Sequence, residues 1–140
     1  MNKISILIVD DDMVDRESVK RSLNRCNIHY ELTEAATVDE ALHKLNNEPF
    51  DIVLLDYNMP DLDGLEFLDV LQEKQETKGL DMPVVVMLTG QGTQVTAVDA
   101  MKRGVQDYLV KSEISSEVFN RAVTNAVEKK RLQLRLEDKE

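Results

Sequence analysis

Four sets of side chains in this sequence could do chemistry together. Asp10-Asp11-Asp12 follows the apolar run Ile4 to Val9, and Asp56 follows Ile52 to Leu55 and leads into Tyr57-Asn58-Met59-Pro60. Thr89-Gly90 closes a third apolar run, Val84 to Leu88, and Lys111 closes a fourth, Tyr108 to Val110. Brought together, the acids would repel: two unit charges about 5 Å apart at an effective dielectric near 20 oppose each other by roughly 3 kcal/mol. Either a carboxyl is protonated or a cation sits among them, and hard oxygen ligands favour Mg²⁺ or Mn²⁺. Magnesium leaves positions open for phosphate oxygens, so a cluster of this kind is a platform for phosphoryl chemistry. A carboxylate can also accept a phosphoryl group covalently.

The surrounding elements decide whether these groups meet. The four apolar runs are rich in β-branched residues and unalternating, as strands covered on both faces of a parallel sheet are. A fifth stretch, Tyr30 to Ala35, alternates and belongs at a sheet edge. Helical periodicity fills the gaps: Val19, Leu23 and Cys26; Val38, Ala41, Leu42 and Leu45 behind the N-cap candidate Thr37; Leu65, Leu68 and Leu71; a weaker Val95, Val98 and Met101; and Phe119, Ala122, Val123, Ala126 and Val127. Five β-α units imply an α/β fold with a flavodoxin-like, doubly wound parallel sheet of order 2-1-3-4-5 and five helices. Ligands in such sheets bind beyond the carboxyl ends of the strands at the switch point, here between strands one and three, so Asp10, Asp11 and Asp56 are expected to converge.

A chain of 140 residues is one domain's worth, long enough to bury a core without staples. With 17 basic and 27 acidic residues the net charge is −10, a field that repels phosphate backbones and anionic lipid, so neither direct nucleic-acid nor membrane binding is expected. A single cysteine, Cys26, and no signal-like apolar run point to a reducing, cytoplasmic setting. Residues 1–127 are expected to form the domain. Residues 128–140 open with the charge run Glu128-Lys129-Lys130-Arg131 and read as a frayed extension of the last helix, a dimerising helix or the start of a linker.

These motifs closely resemble the receiver domain of two-component response regulators, chemotaxis regulators among them. The likeness is carried by Val9-Asp10-Asp11, Leu54 to Gly64 around Asp56, Leu88-Thr89-Gly90 and Asp107-Tyr108-Leu109-Val110-Lys111, and spans about residues 4–127. It implies that Asp56 accepts phosphoryl from a histidine kinase or a histidine phosphotransfer protein. It further implies that Asp10, Asp11, Asp56 and the backbone carbonyl of Asn58 hold Mg²⁺, and that Thr89 and Lys111 bind the phosphoryl oxygens. Tyr108 would follow Thr89, switching the face of helix four, strand five and helix five toward a downstream protein or output domain, with a homodimer as one arrangement. One position departs from the family: Ser112 follows Lys111 where proline, often in a cis peptide, is usual. A non-proline cis bond costs roughly 3 kcal/mol, so the expectation is a trans bond with a reshaped loop, or a strained cis bond retained.

Plainer roles stand beside these. Asp12 is the expected N-cap of the first helix, and Asp61 and Asp63 are turn and capping residues. Tyr108 could simply fill core space. Cys26, His29 and His43 have no partner spacing. Three rivals share the chemistry or the fold: a pseudo-receiver that binds without phosphorylation, a Mg²⁺-dependent phosphohydrolase with an Asp nucleophile, and a flavin module. Asn58 stands where the hydrolase needs a second acid, and the acidic loop would repel a flavin phosphate.

Overall fold

The computed structural model describes residues 3–60, 62–78, 82–90, 94–113 and 115–138. Asp61 and the side chains of Val95, Leu134 and Leu136 lie outside the described residues. The chain alternates β1 (Ile4–Val9), α1 (Met13–Asn24), β2 (Tyr30–Ala35), α2 (Val38–Asn47), β3 (Ile52–Asp56), α3 (Gly64–Lys78), β4 (Val84–Thr89), α4 (Gln94–Lys102), β5 (Asp107–Val110) and α5 (Ser116–Asp138). All pairings are parallel and the strand order is β2-β1-β3-β4-β5. β2 takes the edge, as its alternation requires.

Side chains of successive strand residues point to opposite faces, and the core divides accordingly. Ile6, Ile8, Ile52, Leu54, Val84, Val86 and Leu88 pack beneath α1 and α5, whereas Leu7, Val9, Val53, Leu55, Val85 and Met87 pack beneath α2, α3 and α4. The caps follow local chemistry. Asp12 accepts from the Val14 and Asp15 amides, Thr37 from Glu40, and Asp63 from Glu66 at 2.9 Å, while Glu66 returns a contact to the Asp63 amide at 3.3 Å. Each satisfies amides that the helix itself leaves unpaired.

Two expectations need correction. Two of the three stripe residues read on α4 face solvent: Val98 and Met101 are 45% and 52% exposed, and among the described side chains of α4 the buried one is Ala100. Ala100 is a small side chain that allows close approach to the sheet, and Val98 and Met101 turn outward. The buried face of α5 also does not stop at Val127. Lys130, one step further along the same stripe, is buried and its Nζ donates to the Met82 carbonyl at 3.4 Å. A long aliphatic stem with a charged tip can occupy an apolar stripe in this way, provided the tip reaches an acceptor.

Candidate functional site

Strand register brings the predicted residues together. Val9 pairs with Leu55, so Asp10 and Asp56 emerge side by side from β1 and β3; Asp56 pairs with Leu88, and Thr89 with Val110. Carboxylate oxygens of Asp10, Asp11 and Asp56 all lie within 4.8 Å of one another. Asp10 and Asp56 are buried, at 1% and 4% exposure, while Asp11 faces solvent. Thr89 is fully buried at the end of β4. Lys111 reaches in from the end of β5, its Nζ 2.9 Å from Asp10 Oδ2 and 3.5 Å from Asp56 Oδ1.

Backbone contacts fix the acids. The Asp10 amide donates to Ala35, its Oδ1 accepts from the Asp12 amide at 2.9 Å, and its carbonyl accepts from Arg16 Nη1 at 2.8 Å. Arg16 is held in turn by Glu34 at 3.0 Å, and Lys20 pairs with the other oxygen of Glu34 at 2.7 Å. The Lys20 hydrogen bond is the main influence holding the Glu34 carboxyl below its ordinary pKa; burial opposes it, and the hydrogen bond from Arg16 adds to the lowering. Asp56 accepts from the Asn58 amide at 3.3 Å. Two contacts escaped the sequence reading: the Arg16–Glu34 clasp, and Asp15 in the first turn of α1, which approaches Lys111 Nζ to 2.7 Å. The spacing of Asp15 and Arg16 after Asp10 was visible, but nothing local ties either to strands β2 or β5.

The electrostatics are those of an incompletely neutralised anion cluster. Burial pushes the Asp56 carboxyl up to about 6; the charge on Asp10 adds to this, while Lys111 and the Asn58 amide oppose it. For Lys111, burial works against the charge, but its hydrogen bonds to Asp15 and Asp10 and the charge of Asp56 prevail and raise its pKa. Two buried carboxylates, Asp10 and Asp56, therefore share the Lys111 ammonium, while the exposed Asp11 joins their cluster without touching it. This all-oxygen, anionic donor set suits a hard divalent cation.

The loop after β3 is shaped by Gly64. Its amide donates to the Tyr57 carbonyl at 2.8 Å, and a Cβ there would lie 2.9 Å from Met87 Cε and 3.1 Å from Tyr57 Cα. The methionine end can swing aside, but the tyrosine backbone is tied to Leu88 and cannot. Gly64→Ala is therefore expected to cost about 1–2 kcal/mol in urea unfolding, an overpacking penalty beside the site.

Tyr108 packs against the α2–α4 side of the sheet with its hydroxyl buried and without an acceptor among the described residues. No described peptide bond is cis, so Lys111–Ser112 is trans, and residues Lys111–Glu113 form a 3₁₀ turn instead. The reshaped loop is the alternative that the structure adopts.

A model of the response regulator receiver domain matches residues 6–123. The chain belongs to the receiver domain family. This receiver domain is 35% identical over 120 residues to the transcriptional regulatory protein ResD of Bacillus subtilis, covering 86% of this chain and 47% of that protein. It is 36% identical over 109 residues to a chemotaxis protein CheY homolog of Campylobacter jejuni, covering 77% and 81% respectively. The chain thus spans about half the length of the first relative and most of the second. Among solved structures, a receiver domain protein from Clostridium thermocellum superposes with a TM-score of 0.75 at 30% identity, covering 93% of this chain and 98% of that one. The beryllofluoride-activated NtrC4 receiver domain dimer gives 0.76 at 32% identity, covering 90% and 98%. Receiver domains of two-component systems are signalling switches rather than conventional enzymes. No helix among the described residues is long and apolar enough to cross a membrane.

Proposed function

We propose that Asp56 is the phosphoacceptor of this receiver domain, taking a phosphoryl group from the phosphohistidine of a kinase or phosphotransfer protein. The observation that carries this reading is the convergence of Asp10, Asp11, Asp56 and Lys111 at the switch point between β1 and β3. In the transfer an Asp56 carboxylate oxygen forms a bond to phosphorus as the phosphorus–nitrogen bond breaks, and the departing imidazole keeps that electron pair. No general base is needed, because an ionised carboxylate has no proton to lose. Asp10, Asp11, Asp56 and the backbone carbonyl of Asn58 would hold Mg²⁺, or Mn²⁺ in its place, which when bound supplies positive charge to the phosphoryl oxygens. Lys111 and Thr89 bind the same oxygens from the β4–β5 side.

Movement of Thr89 toward a phosphoryl group would open space for Tyr108, whose buried hydroxyl lacks an acceptor among the described residues. The face built by α4, β5 and α5, where Val98 and Met101 are exposed, would then change its affinity for a downstream protein or output domain. Residues 1–127 make up the receiver, residues 128–140 are a charged extension of its last helix or the start of a linker, of which residues 128–138 continue α5, and the setting is cytoplasmic. The test is incubation with acetyl phosphate followed by intact-mass measurement. One phosphoryl group is expected per chain with Mg²⁺ present and none after chelation; uptake indifferent to the chelator would overturn the metal assignment.

A further inference from the structure

Among the described residues Lys111 is the cation that pairs with the carboxylates of the acid cluster, and its shortest ion pair is with Asp15. The distances are 2.7 Å to Asp15, 2.9 Å to Asp10 and 3.5 Å to Asp56. Asp15 is not one of the acids whose oxygens gather at a common point; that group is Asp10, Asp11 and Asp56. It stands apart in the first turn of α1, partly exposed, and touches the cluster through the lysine.

An ammonium carries three donors and no acceptor, so three carboxylates can share it. A divalent cation bound among Asp10, Asp11 and Asp56 would compete with Lys111 for the Asp10 oxygens. The lysine side chain is only 21% exposed, and a half-buried ammonium stripped of a partner is costly. Asp15 offers an acceptor that a cation in the cluster does not claim. We propose that Asp15 is a positioning residue that holds Lys111 when a divalent cation takes Asp10, so that the cation enters without orphaning the lysine. The ammonium then keeps a donor for the Asp56 side of the pocket. This rests on the reading of the acid cluster as a Mg²⁺ site.

Asp15 also has a simpler role to exclude, since an acid in the first turn of a helix is favourable by itself. Asp12 provides the control: it is exposed, caps the same helix, and makes no contact with Lys111, and Asn at position 12 keeps the capping oxygen. The experiment is calorimetric titration of the intact chain with MgCl₂ alone, for wild type, Asp15→Asn, Asp12→Asn, Lys111→Gln and the double variant Asp15→Asn/Lys111→Gln. Asp15→Asn is expected to weaken Mg²⁺ binding about three- to tenfold, as a coupled contact would, and Asp12→Asn less than about twofold. In the Lys111→Gln background the effect of Asp15→Asn should shrink to that of Asp12→Asn. Equal effects of the two single variants, or an Asp15→Asn effect undiminished without the lysine, would overturn the proposal and leave Asp15 as a helix-terminal acid. Failure of the wild type to bind Mg²⁺ would instead overturn the metal-site reading, and the proposal with it.

Discussion

Asp56→Asn is expected to abolish phosphoryl uptake from acetyl phosphate. An amide oxygen has neither the charge nor the nucleophilicity of a carboxylate, and the amide nitrogen has no available lone pair to replace it. The loss should be complete within the sensitivity of intact-mass detection, whereas charge-preserving changes elsewhere at the rim should slow uptake without removing it. The neighbouring acids do not offer a substitute that would hide the effect. Asp10 is buried, its Oδ1 engaged by the Asp12 amide and its Oδ2 by Lys111, while Asp11 is exposed and lacks that contact with the lysine. A variant still labelled at the wild-type rate would displace Asp56 from the acceptor role. A label that moved to Asp10 or Asp11, found by peptide mapping, would do the same.

The same substitution should change stability in a pH-dependent way, with the metal-free protein as the reference. In the folded state the Asp56 carboxyl is raised from 3.8 to about 6 by burial and by the charge on Asp10. Below pH 4 it is protonated in both folded and unfolded chains and contributes no difference. Between pH 4 and 6 the unfolded chain releases its proton while the folded chain retains it, so stability falls as pH rises. Above pH 6 both are ionised and the penalty is constant, on the order of 2–3 kcal/mol. Asp56→Asn lacks this penalty. The variant should therefore exceed the wild type in urea midpoint at pH 7.5, and the advantage should vanish toward pH 4. Saturating MgCl₂ should narrow the gap at neutral pH, because a cation bound to the folded state stabilises the wild type by mass action. A gap that widened on acidification would show that Asp56 is held ionised rather than disfavoured.

The strands, their order and the convergence of Asp10, Asp11 and Asp56 were legible because each follows from pattern alone. Unalternating runs such as Ile52 to Leu55 announce strands covered on both faces. The alternation of Tyr30 to Ala35 announces an edge, and the switch point of a doubly wound sheet then names the loops that meet. Asp12 and Thr37 were legible as caps because capping uses residues adjacent in sequence.

What escaped depends on where long side chains reach across the fold. The Lys111–Asp15 pair joins residues 96 apart in sequence, and the Arg16–Glu34 pair links α1 to β2. Neither leaves a periodic trace. The outward turn of Val98 and Met101 had a related cause: among the described side chains of α4 it is Ala100 that lies buried against the sheet, and hydropathy weights that alanine too little. Lys130 was misread for the opposite reason. A charged residue at a stripe position looks like the end of the stripe unless its tip finds a carbonyl, as it does at Met82.

That seat for Lys130 has a consequence for how far the phosphoryl group's charge could be felt. Met82 precedes β4, whereas Thr89 at the other end of the strand borders the acids, and a six-residue strand separates the two poles by about 20 Å. A unit charge acts on another at that distance with about 0.2 kcal/mol in water and about 0.8 kcal/mol at an effective dielectric near 20. Salt trims this further where the path runs through solvent, since the Debye length is about 8 Å under physiological conditions. The charge at Asp56 thus reaches the Lys130 turn of α5 only weakly, yet the lysine fastens this helix to the base of the sheet. A larger influence of the acid pocket at that pole would have to travel as displacement of packed elements, for which the 23-residue α5 offers a lever rather than an antenna.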